Sequence, residues 1–203
     1  MPRTASTMLA LGVSAPEFAL LDVVTRNLVS LDRFADRKAL LVIFASPHCP
    51  FVKHVQQELA NLAQDFASQG LGIVGISSND PVQYPDDAPE KVKEFVHEAN
   101  LNFPFLFDET QTVAKAYQAA CTPDFFLFDG DRQLVYRGQL DGSRPGNDIP
   151  VTGQDLRRAI EAVLAGQPVN PNQLPSIGCN IKWKPGNEPA YFGAPAEVAL
   201  ANS

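Results

Sequence analysis

The chain has 203 residues, of which 45% are hydrophobic and 19% are charged. This composition is typical of one ordinary globular domain and excludes a disordered or fibrous chain. The formal net charge of −7 argues against a nucleic-acid or anionic-membrane partner, because binding to phosphate groups requires a basic surface. No apolar run approaches the ~18 residues that a membrane-spanning helix needs.

The first residues loosely resemble a short secretory signal, since Met1-Pro2-Arg3 is soon followed by the apolar stretch "MLALGV". That stretch is brief and Gly12 interrupts it, whereas a signal peptide has a longer apolar region. We therefore expect a cytoplasmic protein.

The N-terminal part of the chain predicts a β-hairpin and then a strand followed by a helix. Residues 18–31 predict two short strands around a turn at 25–27. Residues 39–45 form a continuous apolar run, as expected for a strand that is covered on both faces. Apolar residues at three- and four-residue spacing then predict a helix that ends at Gly70: Val52, Val55, Leu59, Leu62 and Phe66.

The alternation of strand and helix continues to Gly166. Thr152 and Asp155 predict a variant capping box at the start of the last helix, which closes at Gly166. The other predicted elements are strands at 71–78, 103–108, 124–129 and 133–138, a helix with Pro89 in its first turn, and a short helix within 109–117.

Beyond Gly166 the sequence is rich in proline and asparagine and shows no periodicity, which predicts a tail without secondary structure. Its apolar side chains indicate that the tail wraps over the domain, with Trp183 as the plug that fixes it. We therefore predict one α/β domain at 13–166, preceded by an N-terminal segment at 1–12. An ordered C-terminal extension at 167–203 packs on the domain.

Cys49, Cys121 and Cys179 are an odd and sparse set, unlike the dense, even sets that form disulfide frameworks. In a reducing compartment such thiols are either buried filler or reactive groups. The sequence around Cys49 favours the second interpretation.

Pro50 suits the first position of a helix, because the N–H that proline lacks would be unpaired there. Cys49 would then be the cap residue, facing backbone N–H groups at the positive end of the helix dipole. This environment lowers the pKa of a cysteine from about 8.5 and so favours the thiolate, which attacks disulfides and peroxides. Lys53 and His54 would add positive charge nearby.

A second motif, "ACTPDFFLFD", places Thr122-Pro123 before an apolar strand and is a candidate for a cis-proline. Together with "VIFASPHCP" and "DGDRQLVYRG", it resembles the thioredoxin fold as used by the alkyl hydroperoxide reductase/thiol-specific antioxidant superfamily. The opening "GVSAPEFAL" is also similar, and the likeness covers about 13–166. The resemblance implies a thioredoxin-like fold, with a central mixed β-sheet flanked by helices and an N-terminal β-hairpin.

A narrower resemblance is to a bacterial peroxiredoxin-like branch of the thioredoxin superfamily, on the segments "SPHCPFVKHV" and "PSIGCNIKWKPGNEP". It implies a thiol-dependent redox protein with Cys49 as the nucleophile and no cofactor. Its partner would be a protein or small-molecule disulfide, a thiol or a peroxide. The bend and the proline loop would contact this substrate through Pro47, His48, Pro50, Thr122 and Pro123.

The chain also departs from both families. A thioredoxin has a second cysteine where this chain has Val52, and its buried acid falls here on Ile43. The Pro-Thr-Cys arrangement of a peroxiredoxin is absent, and Arg137 is the best substitute for that family's arginine. In the thioredoxin fold the cis-proline loop packs beside the nucleophile, so Cys121 should lie near Cys49, and Cys179 could fold back to the same place. Either cysteine could resolve a disulfide or sulfenic acid at Cys49.

Several polar residues near these motifs have simpler interpretations. We interpret His48 and His54 as solvent-facing, with a substrate contact for His48 and a general base for His54 as the alternatives. Asp86 and Asp87 are interpreted as a solvated loop before a helix.

Three functions remain open. The first is a thiol-disulfide oxidoreductase that pairs Cys49 with Cys121, Cys179 or an external thiol. The second is a peroxide-reducing enzyme of unusual site geometry. The third is a non-enzymatic binding module, which could hold a soft metal ion with Cys49, His54 and another cysteine.

Overall fold

The computed structural model of the chain describes residues 3–193. Residues 1–2 and 194–203, which include the end of the predicted extension, lie outside the described part. Within 3–193 no helix is long and apolar enough to cross a membrane. The strands are β1 (Arg3–Ala5), β2 (Ala19–Asp22), β3 (Leu28–Ser30), β4 (Ala39–Phe44), β5 (Leu71–Ser77), β6 (Phe105–Phe107), β7 (Cys121–Thr122), β8 (Asp124–Phe128), β9 (Leu134–Gly138) and β10 (Ile177–Asn180). The α-helices are α1 (Pro50–Phe66), α2 (Pro89–Glu98), α3 (Thr112–Ala116) and α4 (Gln154–Leu164).

The main sheet has seven strands in the order β3-β2-β6-β5-β4-β8-β9. Strand β5 pairs in parallel with both β4 and β6, whereas the other pairs are antiparallel. The sheet is therefore mixed, as predicted. The pairing of β2 with β3 confirms the N-terminal hairpin.

Both faces of the main sheet are covered, which explains the continuous apolar sequence of β4. Because side chains alternate along a strand, Leu41 and Ile43 face one core and Leu40 and Val42 face the other. Helices α1, α2 and α4 pack on the first face, whereas α3 and the tail residue Trp183 pack on the second. The site described below lies on the first face, at the end of β4.

The predicted capping box at Thr152 and Asp155 is wrong. Helix α4 has Gly153 as its N-cap residue, with a φ of 65° and no side-chain cap. A glycine adopts this left-handed conformation without the steric cost that a threonine would meet. The backbone N–H groups of Thr152 and Gly153 donate instead to the carboxylate of Asp141, at 2.7 and 2.6 Å.

Residues 167–193 of the tail are ordered, as predicted from the apolar side chains, but the prediction that the tail lacks secondary structure is wrong. It contributes β10, the middle strand of a three-stranded antiparallel sheet in the order β1-β10-β7. Trp183 is 6% exposed, consistent with its expected role in fixing the tail. Strand β10 escaped prediction because its two partners lie far away along the chain and its own four residues carry no periodic signal.

Candidate active site

The bend between β4 and α1 presents Cys49. Cys49 is the N-cap residue of α1 and Pro50 is the first helical residue, as the sequence predicted. The carbonyl oxygen of Cys49 accepts hydrogen bonds from the N–H groups of Val52 and Lys53, both at 3.0 Å. The helix therefore begins beside the thiol, whose side chain is fully buried.

Two other segments meet the thiol at this bend. The peptide bond between Thr122 and Pro123 is cis, as the sequence suggested, and the Cys49 thiol donates to the carbonyl oxygen of Thr122 at 3.1 Å. Across the ladder of β10 and β7, Cys179 lies directly opposite Thr122. The structure thus brings together Cys49, Thr122, Pro123 and Cys179.

Cys49 and Cys179 each change the pKa of the other. The pKa of Cys49 lies well below its ordinary value, chiefly because the Cys179 thiol donates a hydrogen bond to the thiolate. Burial opposes this shift, while the Thr122 hydroxyl and the N–H groups of Val52 and Cys179 add to it. The same hydrogen bond raises the pKa of Cys179, because Cys179 is the donor, and burial raises it further. The contacts favour a Cys49 thiolate paired with a Cys179 thiol.

Cys121 is placed differently. Its thiol donates to the carbonyl oxygens of Pro123 and Ser176, at 3.6 and 3.9 Å. It is fully buried, and burial raises its pKa well above the ordinary value. Of the two alternatives left open by the sequence, the structure places Cys179 against Cys49 and leaves Cys121 behind the cis-proline loop.

His48 and Asp87 are not the solvent-facing side chains that the sequence suggested. The Asp87 carboxylate is fully buried, and His48 Nδ1 lies 2.7 Å from Asp87 Oδ2, with the His48 side chain 15% exposed. Ser46 and Asn79 also donate to this carboxylate, at 2.7 and 2.9 Å. The hydrogen bond to Asp87 is the main cause that raises the pKa of His48, against burial. Sequence reasoning missed this pair because an acidic residue beside a helix start is usually solvated.

The remaining bend residues flank the thiol. Pro47 is buried, whereas Pro50 is exposed at the start of α1. Pro47 directly precedes His48 and Pro50 directly follows Cys49, so the two prolines shape the surface next to this pair.

The alternative roles considered for His54 and Arg137 find no support in their contacts. His54 is half-buried, not solvent-facing, and its Nε2 lies 2.7 Å from the Ser143 hydroxyl. Arg137 donates to the carbonyl oxygen of Leu9 at 2.8 Å and to Gln173 at 2.9 Å. In the described part of the chain, no three His, Cys, Asp or Glu side chains are grouped to hold a metal ion.

A buried acid does exist near this site, although Ile43 fills the position where a thioredoxin has one. Asp124 follows the cis-proline, is fully buried, and has its pKa raised to about 7 by burial. Its strand neighbour Phe125 belongs to the core that contains Cys49, and Phe126 belongs to the other core. By the alternation of side chains, Asp124 points away from Cys49 and is not a proton relay for it.

The AhpC/TSA family profile matches residues 11–137, more than half of the chain. The chain belongs to the AhpC/TSA family. It is a peroxiredoxin-like member of the thioredoxin superfamily.

The relatives of this chain include proteins named as peroxiredoxins and proteins named as thiol-disulfide oxidoreductases. A Mycobacterium tuberculosis protein named as a candidate peroxiredoxin is 31% identical over 116 residues, which cover 57% of this chain and 68% of that protein. The thiol-disulfide oxidoreductase ResA of Geobacillus kaustophilus is 23% identical over 164 residues, which cover 79% and 82% of the two chains. The chain is thus similar to proteins that bear both names.

Solved structures agree with the fold. An uncharacterized conserved protein from Geobacillus kaustophilus is 54% identical with a TM-score of 0.90, over 92% of this chain and 98% of that one. The peroxidoxin BcpB of Mycobacterium tuberculosis is 20% identical with a TM-score of 0.57, over 77% and 96% of the chains. The latter similarity concerns the fold alone, and it confirms the predicted thioredoxin-like architecture.

Proposed function

We propose that the protein is a thiol-disulfide oxidoreductase in which Cys49 is the nucleophile and Cys179 is its in-chain partner. The observation that carries the proposal is the position of Cys179, which lies directly opposite Thr122, the residue whose carbonyl oxygen is 3.1 Å from the Cys49 sulfur, beside the first turn of α1 and the cis-proline loop. A thiolate is the attacking species in disulfide exchange, and here donors from α1, β7 and β10 stabilise it.

The reaction proceeds in two exchanges. The Cys49 thiolate attacks one sulfur of a substrate disulfide and forms a mixed disulfide, while the other substrate sulfur leaves with the electron pair of the broken S–S bond and takes up a proton from its surroundings. The Cys179 sulfur then attacks Cys49, and its proton goes to the second thiolate that leaves. The products are two substrate thiols and a Cys49–Cys179 disulfide, which a reducing dithiol or a low-molecular-weight thiol returns to the starting state.

Access to Cys49 requires movement of β10. Both sulfurs are buried, and β10 packs against α1 as well as against β7. We therefore infer that a substrate reaches the thiolate when β10 shifts, and that β10 returns to bring Cys179 onto the mixed disulfide. Pro47, His48, Pro50, Thr122 and Pro123 would line the opening.

Single cysteine variants test this assignment. We expect Cys49→Ser to lose disulfide exchange altogether and Cys179→Ser to stop at a mixed disulfide that mass spectrometry detects on Cys49. Cys121→Ser is the matched control, because it removes an equally buried cysteine whose thiol donates to the carbonyl oxygens of Pro123 and Ser176, and its exchange rate should equal that of the wild type. Full exchange by Cys49→Ser, or a stable mixed disulfide on Cys121, would refute the proposal.

Peroxide reduction is the second candidate, supported by the family itself. The contacts described here favour it less, because Arg137 is held by Leu9 and Gln173. Stoichiometric peroxide added to the reduced protein separates the two functions. Loss of the Cys49 thiol no faster than that of free cysteine leaves disulfide exchange as the function, whereas a much faster loss would assign peroxide reduction.

A further inference from the structure

Next to Cys49, a buried carboxylate fixes one imidazole in a single orientation. A carboxylate only accepts hydrogen bonds, so the Nδ1 atom of His48 must carry the proton that it shares with Asp87 Oδ2 at 2.7 Å. Ser46 and Asn79 hold the same carboxylate, and Asn79 in turn accepts from the N–H of Lys182 at 2.8 Å. The imidazole is therefore anchored from β4, from the end of β5 and from the tail.

The second ring nitrogen of His48, Nε2, is available for proton transfer. Within residues 3–193, His48 makes its hydrogen bonds through Nδ1, to Asp87 and Ser46, and its Nε2 has no partner. Tyr84 stacks on the ring, with centroids 6.1 Å apart and planes 4° apart, which fixes the ring plane. The His48 side chain is partly exposed while the adjacent Cys49 is covered, so a substrate that approaches the nucleophile passes this imidazole.

A fully buried carboxylate also requires a counter-charge. Removing an ionised carboxylate from water is unfavourable unless a cation and hydrogen-bond donors compensate it. His48 is the cation in contact with Asp87, since Lys182 donates its amine to the carbonyl and amide oxygens of Asn180. This favours a protonated imidazole next to a cysteine thiolate, an acid and a nucleophile side by side.

We propose that His48 donates its Nε2 proton to the thiolate that leaves when Cys49 opens a substrate disulfide, and that Asp87 positions His48 for this step. The inference rests on the proposed disulfide exchange. The Cys49 sulfur forms a bond to one substrate sulfur, and the electron pair of the broken S–S bond stays on the other. That sulfur takes the proton from Nε2 and leaves as a thiol, and the neutral imidazole regains a proton from water at its exposed edge.

The charged and titratable groups that face His48 come from four segments. They are Asp87 in the 3-10 turn at 85–87, Tyr84 before that turn, Cys49 at the start of α1 and Lys182 after β10. Asp87 and the Cys49 thiolate raise the pKa of His48, whereas burial and Lys182 lower it. The exchange rate should therefore rise with pH as Cys49 ionises and fall again, at a pH above 6.5, as His48 loses its proton.

Two disulfides that differ in their leaving group test the acid role. An alkyl thiolate is a poor leaving group and needs the proton, whereas an acidic aromatic thiolate leaves without it. We expect His48→Gln to lose about 100-fold in the rate of exchange with an alkyl disulfide. The same variant should keep most of its rate with an aromatic disulfide. His97→Gln, which changes an exposed histidine on α2, is the matched control.

The variants of Asp87 and the wild type complete the experiment. Asp87→Asn keeps an oxygen for His48 but removes the charge, so the alkaline fall in the alkyl-disulfide rate should move to lower pH. In the wild type that fall should be absent with the aromatic disulfide, a comparison that needs no variant to fold. Equal losses on both disulfides would reduce His48 to a structural residue and overturn the inference. If the wild type exchanged neither disulfide, the proposed function itself would be wrong.

Discussion

At the scale of single residues, the buried hydroxyl of Thr122 has an unusual position. Its Oγ1 has no nitrogen or oxygen hydrogen-bond partner in the described part of the chain. An unpaired buried hydroxyl is unfavourable, and the Cys49 thiolate is the acceptor that relieves it. The stability of the fold and the acidity of the thiol are thus linked at one side chain.

Replacing Thr122 by valine should separate these two effects. Thr122→Val keeps the shape and the backbone pairing of β7 but removes the donor, so the pKa of Cys49 should rise by about one unit, the equivalent of one hydrogen bond to a charged group. The measurement is the ultraviolet absorbance of the thiolate as a function of pH. Thr122→Ser, which retains the hydroxyl, should keep the low pKa. An unchanged pKa in the valine variant would show that the hydroxyl does not bind the thiolate.

At the scale of elements, β10 can pack closely against the cis-proline loop because Gly178 has no side chain. A Cβ atom on Gly178 would lie 1.9 Å from the carbonyl oxygen of Thr122 and 2.6 Å from its carbonyl carbon. Both are backbone atoms and cannot move aside without disrupting the pairing of β10 with β7. The glycine therefore sets how closely Cys179 approaches Cys49.

Gly178→Ala should move β10 away from β7. We expect a loss of about 1–3 kcal/mol in the free energy of unfolding, as for other overpacked sites. Formation of the Cys49–Cys179 disulfide by a mild oxidant should also slow, by roughly tenfold if the misplacement costs about 1.4 kcal/mol. Gly142→Ala is the matched control, because its new methyl group would meet only Ile149, at 3.7 Å. If both variants form the disulfide at the wild-type rate, β10 does not control the approach of Cys179.

The elements also show what the sequence could and could not predict. Pro50 marks the start of α1, so the cap position of Cys49 follows from two adjacent residues. The contact between Cys49 and Cys179 does not, because it depends on pairing between strands more than fifty residues apart. The same holds for His48 and Asp87, since the fold of the loop after β5 decides whether that acidic residue is buried or solvated. Local signals located the nucleophile, and non-local pairing supplied its partners.

For the whole molecule, a strong coupling between folding and pH in the acidic to neutral range is expected at Asp124. Its Oδ2 accepts from the Ala120 N–H at 3.1 Å, while its Oδ1 has no partner within residues 3–193. Burial raises its pKa from 3.8 to about 7. A carboxyl whose pKa is raised on folding stabilises the native state fully below its unfolded value. That contribution is lost progressively as the pH rises through the folded value.

Asp124→Asn should therefore flatten the dependence of stability on pH. The shift corresponds to roughly 4 kcal/mol, lost by the wild type between about pH 4 and pH 8. The amide stays neutral and still accepts from Ala120, so the variant should match the wild type at the acidic end and exceed it at the alkaline end. Urea unfolding across this range measures the difference, with the exposed Asp131→Asn as the control. Parallel curves for the wild type and Asp124→Asn would mean that Asp124 is already ionised in the native protein at neutral pH. Asp124 would then carry a charge at a fully buried position.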